Sequence, residues 1–123
     1  MTSRPVADLL STLAEPTRLR IVNSLSAAPL FASDLAAILD VPETNVDEHL
    51  NRLEELGVVR TYEVMPYLLY ALAPMPGARE RLLRAVLDAI RNDSATQADR
   101  SAALDRSRAR LETRVRGAAV NAS

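Results

Sequence analysis

The chain has 123 residues, a length suited to one domain, and is 48% hydrophobic with only four aromatic residues, Phe31, Tyr62, Tyr67 and Tyr70. Its formal net charge of −1 is uneven: residues 16–72 hold four arginines against eight acids, residues 73–123 hold ten against six, and there is no lysine. The absence of cysteine excludes disulfides, zinc–thiolate sites and thiol redox switches.

A core of Leu, Val, Ile and Ala favours packed helices. The periodicity of Val6, Leu9, Leu10, Leu13 and Ala14 predicts a first amphipathic helix. Pro16 suits the first turn of a second helix, with Leu19, Ile21, Val22 and Leu25 inward and Ala28-Pro29 as its stop. Ser33 is the expected N-cap of a third helix carrying Leu35, Ala36, Ile38 and Leu39. After the break at Asp40-Val41-Pro42, a fourth helix over about 43–56 presents Val46, Leu50, Leu53 and Leu56 on one stripe, and Gly57 ends it. The period then changes to that of two strands, 58–64 and 67–72, forming a hairpin around Met65-Pro66. A fifth helix over about 78–91 carries Leu82, Leu83, Val86, Leu87 and Ile90. A weakly amphipathic sixth helix over 95–116 precedes a tail expected to fray from Gly117. The expected division is a winged helix-turn-helix domain with its dimerisation helices over 1–91, and an arginine-rich helix and tail over 92–123. No signal-peptide pattern opens the chain and no apolar run approaches the ~20 residues of a membrane span, so a soluble cytoplasmic protein is expected.

Two short helices joined by a tight turn and followed by a hairpin describe a winged helix-turn-helix, mainly α with a small β-hairpin. The third helix would cross the nucleic-acid backbone and the fourth would enter the major groove. The residues at these places resemble the arsenic-repressor (ArsR) family. Glu15-Pro16-Thr17-Arg18-Leu19-Arg20-Ile21-Val22 is similar to its opening segment. Asp34-Leu35-Ala36 through Val46, His49-Leu50, Leu53 and Leu56-Gly57-Val58-Val59 resemble its helix-turn-helix, and 67–72 its second wing strand. The resemblance covers about residues 6–90. It implies a homodimer built on the first and fifth helices, a two-fold symmetric double-stranded DNA operator, and a repressor released by a ligand, often a metal ion.

Three features depart from that pattern. The fourth helix is acidic, with Glu43, Asp47, Glu48, Glu54 and Glu55 beside the more usual DNA contacts Thr44, Asn45, His49 and Arg52; carboxylates repel phosphates and can accept only from a cytosine amino group in the major groove. The wing tip, Val64-Met65-Pro66, lacks arginine and glycine. It is open to wedging into a minor groove or to contacting a partner protein or the other subunit. The family's cysteine or histidine metal ligands are missing; His49 is the one histidine, and Glu80 with Asp88 on the fifth helix lacks a third ligand. No Ser-His-Asp arrangement or glycine-rich phosphate loop is present, so the chain is not expected to be an enzyme.

The expected DNA-contacting residues are therefore Arg18, Ser33, Glu43, Thr44, Asn45, Asp47, Glu48, His49, Arg52, Arg60 and Tyr62. The expected dimer interface is Val6, Leu9, Leu10, Leu13, Leu82, Leu83, Val86, Leu87 and Ile90. No metal and no cofactor is expected. The expected function is DNA-binding transcriptional regulation by a homodimer. The competing readings are a winged-helix protein-interaction module and a regulator with a small ligand at the dimer interface. Arg100, Arg106, Arg108, Arg110, Arg114 and Arg116 leave two roles open: supplying charge toward DNA or an acidic partner, or forming a solvated cap.

Overall fold

The computed structural model describes the backbone of residues 4–122 and the side chains of residues 4–111. In chain order it holds α1 (Arg4–Leu13), α2 (Pro16–Leu25), β1 (Leu30–Phe31), α3 (Ala32–Leu39), α4 (Glu43–Glu55), β2 (Val59–Val64), β3 (Tyr67–Leu72), α5 (Gly77–Ala89) and α6 (Ser94–Ala122). No helix among the described residues is long and apolar enough to cross a membrane.

Local chemistry sets most boundaries. Glu15 caps α2: its carboxylate accepts the Arg18 N–H at 2.9 Å, and Pro16 occupies the first turn, where a missing N–H costs nothing. The expected cap of α3 is displaced. Phe31, not Ser33, is the N-cap, because β1 holds Phe31 extended and the helix starts at the next residue. The Asp34 carboxylate reaches back to accept the Phe31 N–H at 2.9 Å, while Ser33 is exposed in the first turn. Asp40 ends α3 in the left-handed region at φ 56°, and the Val41 N–H returns to the Ala36 carbonyl at 3.2 Å. Gly57, at φ 74°, ends α4. The Gly57 N–H bonds the Glu54 carbonyl at 3.0 Å and the Val58 N–H bonds the Leu53 carbonyl at 2.9 Å, and both Leu53 and Val58 belong to the buried core.

The expected hairpin is part of a three-stranded antiparallel sheet of order β1-β3-β2. On β3, Tyr70 lies between Leu30 and Thr61, and Leu69 between Phe31 and Tyr62. β1 has two residues, too few to show the alternation by which a strand is read from sequence.

One buried cluster runs through the chain, including Leu9, Ile21, Val22, Leu30, Leu35, Val46, Leu50, Leu53, Val58, Leu83 and Ala103. Ala103 belongs to α6, which packs across α2 and α3. Polar contacts hold it there. Asp99 takes a bidentate pair from Arg20, at 2.8 and 3.0 Å. Asn23 is fully buried and donates to the Thr96 carbonyl at 3.0 Å, and its oxygen accepts from Arg100 at 2.8 Å. The helix also runs past Gly117 to Ala122, where the sequence suggests fraying. A single glycine costs a helix only about 1 kcal/mol relative to alanine, and Ala118 and Ala119 follow it.

Candidate nucleic-acid interface

The α3–turn–α4 pair is built by burying one face of α4. Val46, Leu50 and Leu53 are fully buried, against α2, α3 and β2. The opposite face follows from the helical period: Glu43, Thr44, Asn45, Asp47, Glu48 and Arg52 are all exposed. No side chain caps the start of α4, where Pro42 is the N-cap, so that end offers amides and the positive end of the helix dipole. Glu43 in the first turn partly offsets that field.

The wing stands beside this helix. Ser33, Glu43 and Asp47 share a cleft of about 410 Å³ with Pro66, Tyr67, Leu68 and Tyr70. On β2 the Arg60 guanidinium lies 5.2 Å over the Tyr62 ring, and both residues are exposed. At the tip, Met65 is 82% exposed, and Tyr67 and Leu68 are also exposed.

Six of the expected contacts, Glu43, Thr44, Asn45, Asp47, Glu48 and Arg52, thus share the exposed face of α4. Arg60 and Tyr62 are exposed on β2, on the sheet face they share with Leu69 and Ala71, opposite the Leu68 and Tyr70 side that lines the cleft. Ser33 borders the cleft. His49 is half-buried, with Nε2 3.9 Å from Glu15. Arg18 turns elsewhere and donates to the Thr12 carbonyl at 2.8 Å, closing the end of α1.

The field of this surface is acidic. Arg52 is the basic residue of α4, and it sits 3.4 Å from Glu55. Burial, and then the charges of Glu54 and Asp47, push the Tyr70 hydroxyl above its ordinary pKa of 10.0.

The expected dimer residues divide by exposure. Leu9, Leu13 and Leu83 are buried within the single chain, where α1 packs on α5. Leu10 is 49% exposed, and Val6, Leu82, Val86, Leu87 and Ile90 are half-buried. On α5 the two carboxylates considered as cation ligands each face an arginine: Glu80 pairs with Arg84 at 3.0 Å and Asp88 with Arg91 at 3.6 Å. Among the described residues no three His, Asp or Glu side chains converge on a point.

Two groups of residues carry contacts that no sequence pattern flags. Arg79 reaches back from α5 to donate through Nη2 to the Leu56 carbonyl at the end of α4, and its Nε is buried without a partner. Arg106 and Arg110 turn inward to Asp34. Arg108 is exposed, while the side chains of Arg114 and Arg116 lie outside the described residues.

Known proteins match this arrangement. A sequence model of the arsR family of bacterial regulatory proteins matches residues 15–61, the span from the cap of α2 into β2. The HTH-type transcriptional regulator CmtR of Mycobacterium bovis is 38% identical over 105 residues, 83% of this chain and 87% of that protein. A biofilm growth-associated repressor of Agrobacterium fabrum is 35% identical over 74 residues, 60% of this chain; the matched part spans 63% of the repressor's length. In structure, the transcriptional repressor BigR from Xylella fastidiosa superposes with a TM-score of 0.64 at 24% identity, covering 75% of this chain and 89% of that one. The fold is therefore that of winged-helix regulators, and the family is one of transcriptional regulators rather than enzymes. By its match to CmtR over most of both chains, and by the helix-turn-helix segment that fits the family pattern, this protein belongs to the arsR family of bacterial regulatory proteins.

Proposed function

We propose that the chain is a DNA-binding transcriptional regulator, acting as a homodimeric repressor on a two-fold symmetric operator, without a conventional metal-sensing site. The observation that carries this reading is the exposed face of α4, where Thr44, Asn45 and Arg52 stand clear of the core, on a helix that shares a cleft with β3 of the wing. Thr and Asn are suited to base edges and Arg to guanine or phosphate. The acids on the same face make binding weaker and more selective than a basic helix would. The half-buried apolar residues of α1 and α5 support a second copy packing there.

A gel-shift of the protein against the DNA upstream of its own gene tests this. A discrete complex, competed by the same DNA and not by unrelated duplex, is the expected result. Retardation that every duplex competes equally would sink it. The exposed Met65, Tyr67 and Leu68 at the wing tip favour one alternative, a winged-helix module that binds a protein surface. Specific DNA binding that survives Met65→Ser and Leu68→Ser together would dismiss that alternative.

A further inference from the structure

Asp34 is 7% exposed, and a carboxylate so buried needs countercharge. Two arginines of α6 provide it. Arg110 Nη1 lies 2.6 Å from one carboxylate oxygen and Arg106 Nη1 lies 3.2 Å from the other. The oxygen that takes Arg110 also accepts the Phe31 N–H at 2.9 Å.

Phe31 is the junction residue of the whole interface. It ends β1, caps α3, and pairs with Leu69 on the middle strand of the wing. Its ring is held on two sides. The Arg110 guanidinium lies 4.7 Å above it, and the Tyr67 ring of β3 meets it edge-on at 6.1 Å. At this one residue, then, α6 grips both the start of the helix-turn-helix and the base of the wing. A two-residue strand has few ladder bonds of its own, so contacts of this kind fix its angle.

We propose that Arg106 and Arg110 are positioning residues for DNA binding, holding Asp34 and Phe31 so that the wing and α4 meet the duplex at a fixed angle. The proposal rests on the DNA-binding reading above. It gives these arginines a role other than phosphate contact, because a guanidinium released to DNA would leave the Asp34 charge buried with less to balance it.

The test is the salt dependence of operator affinity for Arg106→Gln, Arg110→Gln and Arg110→Lys, with hydrogen exchange measured on the same proteins. Removing a phosphate contact lowers the slope of log affinity against log salt by about one unit, whereas misplacing the wing weakens binding at constant slope. The expected result is roughly a tenfold loss for Arg110→Gln with the slope unchanged, a size that matches the loss of one charged hydrogen bond. Arg110→Lys keeps the charge but lacks the flat face and fork, so it should stay weakened. The Phe31 amide should exchange about tenfold faster while Ile21 and Val22 keep their protection.

A slope reduced by one unit, with Arg110→Lys restoring affinity, would replace the proposal with a phosphate contact. Unchanged affinity, or protection lost alike at Phe31 and Ile21, would also overturn it, the latter by showing general support of the fold. If Arg110→Gln does not fold, Arg106→Gln repeats every measurement from the more exposed of the two arginines, 44% against 31%. A wild-type protein without specific DNA binding would defeat the reading above. Specific wild-type binding that none of the variants weakens would defeat only the positioning role.

Discussion

Tyr70 shows how the acidic interface acts on a single group. Its hydroxyl is raised by burial first and then by Glu54 and Asp47, since ionising it would place a charge in a poorly solvated place facing other negative charges. The folded state therefore holds this proton more tightly than the unfolded chain. The corresponding stability is complete below the ordinary value of 10.0 and is lost as pH rises through the higher folded value. Denaturant melts from pH 8 upward should show wild-type stability falling above about pH 10. Tyr70→Phe should flatten that fall, and parallel curves would contradict the assignment. Gly57 acts through its backbone alone. At φ 74° a Cβ costs about 1–2 kcal/mol, and there is no crowding to add to it, the nearest atom to an added Cβ being Arg79 Nη1 at 4.0 Å. Gly57→Ala should lower stability by that amount in urea melts, with no change in the slope of the transition.

At the scale of the element, α4 is the unusual part. Changing Glu43, Asp47 and Glu48 to Gln, Asn and Gln removes three negative charges from the exposed face without removing a phosphate contact. Affinity for random duplex, measured by fluorescence anisotropy at low salt, should rise. A modest stability loss of about 0.3–1 kcal/mol should accompany it, because acids near a helix N-terminus favour its dipole. If the triple variant instead loses a defined operator, those carboxylates read bases. The inward stripe Val46, Leu50, Leu53 and the stop at Gly57 were both legible in the sequence, because a helix period and a left-handed glycine are local signals. β1 and the start of α3 were not. Phe31 is extended because β3 lies beside it, and Asp34 caps because Phe31 is extended, so the shift from Ser33 has a tertiary cause. The arginines of α6 were legible as a basic helix. Their partners were not, since Asp34 lies 72 and 76 residues away from them in sequence.

At the scale of the whole molecule, the exposure of α1 and α5 chooses the residues that test the proposed dimer. Leu83 belongs to the protomer's core, so an acid there would unfold the chain before it could report on association. Leu10 and Val86 are better probes, being exposed and half-buried. Leu10→Glu with Val86→Glu should give a folded monomer by sedimentation and circular dichroism, and an unaltered dimer would place the interface elsewhere. With no cysteine in the sequence and no convergence of His, Asp or Glu among the described residues, calorimetry with zinc, nickel, copper or arsenite should show no stoichiometric submicromolar binding. The hydrogen bond from Arg79 to the Leu56 carbonyl joins the end of α4 to the first turn of α5. In the proposed dimer α5 also carries the partner, so this joint sets how far apart the two α4 helices stand. Half-sites read by such a pair lie about 34–36 Å apart, one turn of DNA. The protein would then behave as a ruler, stiffened by this guanidinium together with the packing of α1 on α5. Arg79→Met keeps the aliphatic stem and removes the bond together with the partnerless Nε. The wild type should reject an operator lengthened by a single base pair at its centre, and the variant should tolerate that extra pair at a smaller loss of affinity.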